Sequence, residues 1–223
     1  MKQFFLPSLA LAVLTLSCNA PESAENGAAS PASETQAMTT GLTDGVYQLN
    51  KVKPKVVWSA YKLTGEGHNG TLHIESGKFK IIGGQVAEGV VIFDMSRIEV
   101  TDLTGDSKES LENHLRSGDF FNVEEHPQST LSVSGITMAG NQAILNGNLT
   151  MNGIGVEYNI PVEVVEADVP GGTKGLAIQG KFKLDRTKHN IVYRSQTFDD
   201  KLDWFIRDIV TVGFSTIGIP MMK

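Results

Sequence analysis

Apolar and polar residues alternate along most of the chain. Val156, Tyr158, Ile160, Val162 and Val164 interleave with Glu157, Asn159 and Glu163, a period of two that gives a strand one apolar face. Leu176, Ile178, Phe182 and Leu184 do the same against Gln179, Lys181 and Lys183, and Leu131 and Val133 against Ser132 and Ser134. Runs at 46–50, 56–63, 72–82, 86–95, 143–151 and 207–216 are rich in Val, Ile, Thr and aromatic residues, which suit a pleated, half-buried surface. Nine strands are predicted, without an internal repeat, and Gly83-Gly84, Gly140-Asn141 and Gly171-Gly172 mark short turns. Such a meander closes as a sandwich or a barrel. A barrel of about eight strands removes the exposed edges and is the smallest that holds one small ligand, so the expected fold is all-β, an eight-stranded antiparallel barrel.

Two segments break the alternation. Asp106 and Glu109 have capping-box spacing, Leu111 and Leu115 sit one helical turn apart, and Gly118 supplies a stop, so a short helix is expected there. A second helical turn is expected around 198–202. Both would lie over a barrel end.

The N-terminus reads as an address. Met1-Lys2 supplies a positive start and Phe4 to Leu16 is almost continuously apolar, shorter than the roughly 20 residues that span a bilayer. Leu14-Thr15-Leu16-Ser17-Cys18 resembles a bacterial lipobox, with Thr15 where Leu is usual; the alternative is a secretory signal that happens to contain a cysteine. Residues 1–17 are thus expected to be a signal peptide and Cys18 to be acylated. Residues 18–41, polar throughout, are expected to be a flexible linker, and residues 42–223 the folded domain. The chain would then cross the inner membrane and stay lipid-anchored, periplasmic or at the outer membrane.

Charge and chemistry narrow the function. With 19 Lys plus Arg against 25 Asp plus Glu, the net charge is −6, which provides no basic surface for nucleic acid. One cysteine excludes a disulfide framework and a multi-cysteine zinc site. Gly65-Glu66-Gly67-His68-Asn69-Gly70 matches GxGxxG, but a strand follows where a phosphate-binding turn needs a helix, so a hairpin loop is expected. His68, His73, His114, His126 and His189 show no metal-ligand spacing. No nucleophile elbow exists, and Asp119 and Asp208 are unpaired carboxylates. No catalytic residue, metal or cofactor is indicated.

The informative constellation is longer. His114-Leu115-Arg116-Ser117-Gly118-Asp119-Phe120-Phe121-Asn122-Val123, ending at Pro127, follows the pattern HLRSxDFFxVxxxP. With Gly67-His68-Asn69-Gly70-Thr71, Gly147-Asn148-Leu149-Thr150-Met151-Asn152-Gly153 and Pro161-Val162, it resembles the YceI-like family of secreted, lipocalin-like, polyisoprenoid-binding proteins. The chain departs from the usual family pattern at Thr187-Lys188-His189-Asn190, after Asp185-Arg186, and at Ile154-Gly155-Val156.

The resemblance implies a lipocalin-like barrel that binds or carries an isoprenoid lipid, a quinone or polyprenyl chain, without chemistry. Lining candidates on the alternating strands are Phe93, Leu131, Val133, Leu145, Leu149, Tyr158, Ile160, Val162, Ile178 and Phe182; each serves equally well as ordinary core. Phe120 and Phe121 would form a lid edge, and His68, His114 and Arg116 would meet a polar head group. For Arg116, a solvated helix C-terminus is the competing reading. For Trp58 the inner and outer faces both remain open, because Val57, Tyr61 and Leu63 compete for the interior. Similar families pair two barrels, so a homodimer is expected. Two other functional classes stay open: a structural or stress-related surface lipoprotein with a filled barrel, and an enzyme built in the barrel mouth.

Overall fold

A computed structural model describes residues 36–50, 55–201 and 203–221. The expected signal peptide, Cys18 and most of the linker lie outside the described residues. Ten strands form one antiparallel sheet: β1 (Gln36–Ala37), β2 (Gly45–Leu49), β3 (Lys55–Tyr61), β4 (Gly67–Ile82), β5 (Gln85–Val100), β6 (Gln128–Ala139), β7 (Gln142–Met151), β8 (Ile154–Val169), β9 (Thr173–Asp185) and β10 (Ile209–Pro220). The helix α1 (Gly105–Arg116) connects β5 to β6.

Nine of these strands make eight staves, and the two-residue β1 is a short addition alongside β6. β2 and β3 share the slot between β4 and β10: β2 pairs with Lys78–Ile81 of β4, and β3 with Gly67–Leu72. The remaining order is β4-β5-β6-β7-β8-β9-β10, and the β6–β7 and β10–β3 pairings complete the ring. The barrel is therefore closed and eight-staved, as the alternation predicts. All nine predicted strands are present.

Three expectations need correction. Among the described residues, pairing already occurs at Gln36 and Ala37, ahead of the expected domain start at Leu42, since they pair with Met138 and Thr137 of β6. The Thr40 amide also donates to the Gly84 carbonyl at 2.7 Å, and the backbone here has partners despite its polar side chains. The α1 N-cap is Thr104, without a side-chain capping bond; Asp106 lies within the first turn, where its charge complements the helix dipole. Residues 198–201 form turns rather than a helix; the second helical element is a 3-10 turn at Arg186–His189, whose N-cap Asp185 accepts from the Thr187 amide.

The GxGxxG segment is also tighter than a six-residue loop, since strand β4 starts at Gly67. Gly70 is needed because a Cβ there would lie 2.1 Å from the Glu99 carbonyl oxygen and 2.3 Å from the Trp58 indole. Its missing side chain lets Trp58 turn into the barrel, with Nε1 donating to the Thr71 carbonyl at 3.3 Å. Val57 and Tyr61 face outward.

The interior has two apolar clusters. One, around Tyr47, Ile81, Ile136, Leu145 and Leu176, belongs to the end carrying the β4–β5, β6–β7 and β8–β9 turns. The other, around Ile98, Leu115, Phe120, Leu149, Leu184 and Ile191, lies beneath α1 and the 186–208 connection.

Candidate ligand-binding cavity

Strands β3 to β10 contribute inward residues to an apolar cavity of about 170 Å³. Along β9 the row runs Ile178, Phe182 and Leu184, a reach of about 20 Å along the strand at ~3.3 Å per residue, and Arg186 of the following 3-10 turn continues it. A long, narrow space results. β10 adds Val210, Val212, Phe214 and Thr216, and β5 adds Val91, Phe93, Met95 and Ile98.

Nine of the twelve expected lining residues face this space: Phe93, Leu131, Leu145, Leu149, Ile160, Ile178 and Phe182 from strands, and Phe120 and Phe121 from the segment after α1. The other three do not. Val133 and Val162 are buried in the turn-carrying end, where the side chains fill the barrel. Tyr158 packs edge-on against Phe182, with ring centroids 5.6 Å apart, and its hydroxyl lies 3.1 Å from His189 Nε2. Alternation specifies which face a side chain takes, whereas depth along the axis depends on register.

The expected head-group residues lie outside the cavity. His68 and His114 border one shallow depression beside α1, together with Leu103 and Leu111. His68 Nδ1 is 3.0 Å from Asp102 Oδ2, and His114 Nε2 is 2.9 Å from Asp119 Oδ2. Burial alone would push the Asp102 carboxyl up, but the Asn69 amide and His68 hold it below its ordinary value. The other face of His114 packs edge-on against Phe120 and Tyr193 at 5.0 and 4.9 Å. Arg116 clips α1 to β5: Nε donates to the Ser96 carbonyl at 2.9 Å and Nη2 to the Ile98 carbonyl at 3.2 Å.

The cation that does border the cavity is Arg186, absent from the expected set. Its Nε donates to the Arg207 carbonyl at 3.2 Å, and Nη1 to the Ile191 and Tyr193 carbonyls at 2.8 and 2.9 Å. Nη2 donates to the Ile206 carbonyl at 3.0 Å and Asp208 Oδ1 at 3.3 Å. All five guanidinium N–H groups are thus occupied. Burial lowers the Arg186 pKa, partly offset by Asp208 and Asp185. Arg186 holds the 191–208 segment over the barrel end. Asp185-Arg186 is a conspicuous pair in the sequence, yet four of the five Arg186 acceptors are backbone carbonyls, and carbonyls carry no residue signature.

Beside it, His189 is fully buried. A carbonyl only accepts, so the 3.0 Å contact with Ile154 O places the proton on Nδ1, and Nε2 accepts from Tyr158. Burial lowers the His189 pKa from 6.5 against the opposing carbonyl contacts, and burial followed by the Asp185 charge raises that of Tyr158. Neither ring lines the cavity. Among the described residues, Arg186 is the one titratable side chain in the lining.

Known proteins place this architecture. A crystal structure of BcnA from Burkholderia cenocepacia superposes with a TM-score of 0.60 at 18% identity, covering 76% of this chain and 98% of that one. A polyisoprenoid-binding domain from Saccharophagus degradans, implicated in plant cell wall breakdown, superposes with a TM-score of 0.60 at 12% identity, covering 80% and 100%. Protein YceI of Salmonella arizonae is 34% identical over 76 residues, which are 33% of this chain and 40% of that relative, so the match spans well under half of the curated protein. The YceI-like domain profile matches residues 47–217, nearly the whole barrel, and the chain belongs to the YceI-like family.

Proposed function

We propose that the barrel binds and carries one isoprenoid lipid, a quinone or a polyprenyl chain, with its hydrocarbon part in the cavity. The carrying observation is the long apolar channel whose one charged side chain has all its donors engaged. The Saccharophagus domain of the same fold, described as polyisoprenoid-binding, supports the reading. An isoprene unit of about five carbons contributes on the order of 3–4 kcal/mol when fully desolvated, and association costs bring the net toward micromolar affinity. A dry apolar cavity of about 150 Å³ holds a benzene-sized guest, so the 170 Å³ present takes one such portion without rearrangement. A longer tail requires the lining to repack, and the unbranched side chains of Met95 and Met151 suit that.

The same proposal includes the acyl anchor at Cys18, a periplasm-facing location and pairing of two barrels. Native mass spectrometry of the full chain purified from bacterial membranes tests the binding: a retained isoprenoid mass is expected. A bare mass, with added quinones neither quenching Trp58 nor raising the melting temperature, overturns it. Labelled palmitate should be incorporated into the chain but not into a Cys18→Ser variant, and light scattering should return twice the chain mass.

A further inference from the structure

The staves of the hollow end are not all joined by hydrogen bonds. The β8–β9 register runs from Val169↔Thr173 to Val162↔Gly180 and stops there, although β8 begins at Ile154 and β9 ends at Asp185. Past that point residues 154–161 pair only with β7, and residues 181–185 only with β10. Pro161 stands at the break, and it has no amide to donate to a ladder. The wall is therefore parted between Tyr158 and Ile160 on one side and Phe182 and Leu184 on the other, and Ile160, Phe182 and Leu184 line the cavity directly behind. The β5–β6 register also ends early, at Asp94↔Gln128, but α1 lies along β5 there.

Side-chain bonds gathered on one residue close the β8–β9 parting. His189 Nδ1 donates to the Ile154 carbonyl at 3.0 Å, the Tyr158 hydroxyl donates to Nε2 at 3.1 Å, and Asn152 Nδ2 donates to the His189 carbonyl at 3.1 Å. The two stretches at which the chain departs from the family pattern, 154–156 and 187–190, meet across this seam. Arg186 fixes the turn carrying His189 to the 191–208 segment. The movable side is thus the β7–β8 hairpin tip, where Gly153, Ile154 and Gly155 are exposed.

We infer that this hairpin tip is a side door to the cavity, latched by His189 and released when that imidazole takes up a proton on Nε2. The proton abolishes the acceptor for Tyr158, forces its hydroxyl to turn, and places a charge at a site with no solvent exposure. The neighbouring charges do not offset this. Asp185 favours the cation, but its Oδ1 already accepts from the Thr187 amide and hydroxyl, and Lys188 opposes it. Arg186 is paired with Asp208, and on the far side of the tip the His126 ring lies against Gly153. Burial keeps proton uptake by the closed latch below pH 6.5, whereas an open latch titrates near the ordinary value. Between those limits the open-to-closed ratio rises by up to about tenfold for each unit of falling pH. The latch stands without the isoprenoid reading; only the guest that uses the door rests on it.

Acrylamide quenching of Trp58, which lines the cavity, reads the door in the full chain without any guest, with Trp204→Phe present throughout so that Trp58 reports alone. From pH 7.5 to 5.5 the quenching constant should rise roughly 3- to 10-fold. His189→Gln, which keeps a donor and an acceptor but takes no proton, should remove the rise. Positions 159 and 183 face each other where the β8–β9 register would continue, so a cross-link between Asn159→Cys and Lys183→Cys, with Cys18→Ser, should remove it while His189 still titrates. Quenching independent of pH overturns the latch, as does a rise that survives either His189→Gln or the cross-link. Near-ultraviolet circular dichroism should stay constant over the range; its loss in step with the rise would mean unfolding and also overturns the latch. Farnesol that fails to bind at any pH removes the isoprenoid reading and leaves the latch in place.

Discussion

The two ends of the barrel are made from the same strands and differ in what their inward residues meet. At the turn-carrying end Tyr47, Ile81, Ile136, Leu176, Val133 and Val162 interlock, and none of them borders the cavity. The Tyr47 hydroxyl donates to the Thr43 carbonyl at 2.9 Å, and Met38 and Leu42 of the N-terminal segment pack into the same cluster. At the other end Ile98, Leu115, Phe120, Leu149, Met151, Leu184 and Ile191 are buried too, most of them slightly less deeply, and all seven border free space. Burial therefore does not separate core from binding site in this protein. Short turns let the strands close on one another, whereas α1 and the 191–208 segment roof the other end from outside.

That contrast is open to direct attack. The largest effect is expected from Arg186→Met, which strands five acceptors around the roof and should cost about 3–5 kcal/mol in urea unfolding, with faster amide exchange across 191–208. Next, Leu176→Ala in the filled end should cost about 2–5 kcal/mol. Leu149→Ala in the hollow end should cost roughly half as much, because its cavity side already lacks contacts; equal losses would erase the distinction. Overpacking should show the same asymmetry. Ala143→Leu should cost about 1–3 kcal/mol, whereas Leu149→Phe should be tolerated and abolish farnesol quenching of Trp58.

The smallest effect is a pH dependence at the hollow end. Burial holds the His189 pKa below 6.5, so the unfolded chain binds more protons in that range. The stabilisation is complete above pH 6.5 and is lost as pH falls below it toward the depressed folded value. Melting temperatures should decline from pH 7.5 to 5.5, and His189→Gln should flatten that slope. Asp102, held below 3.8, acts only in a more acidic window.

The strands were legible because a pleated stave with one buried face writes a period of two into the chain, as Val156 to Val164 do. Nine lining residues followed from that period and from the Phe120-Phe121 motif. Val133 and Val162 did not, since facing inward says nothing about which end is filled. β1 was hidden because its pairing with Met138 and Thr137 uses backbone groups, and polar side chains there resemble a linker. The head-group expectations for His68, His114 and Arg116 were misplaced for a related reason. Polar residues next to a motif attract attention, but here they pair with Asp102, Asp119 and the β5 backbone.

The two roofing segments are each fastened by an arginine, and the fastenings are unequal. Arg186 is nearly inaccessible, with 4% of its side chain exposed, and closes five bonds at once; Arg116, at 31%, holds α1 to β5 through two backbone carbonyls, helped by Glu112 accepting from the Val100 amide at 2.9 Å. Opening the first requires breaking all five together, while the second faces solvent and loosens in steps. Amide exchange is therefore expected to be faster in α1 than in the segment that Arg186 fastens.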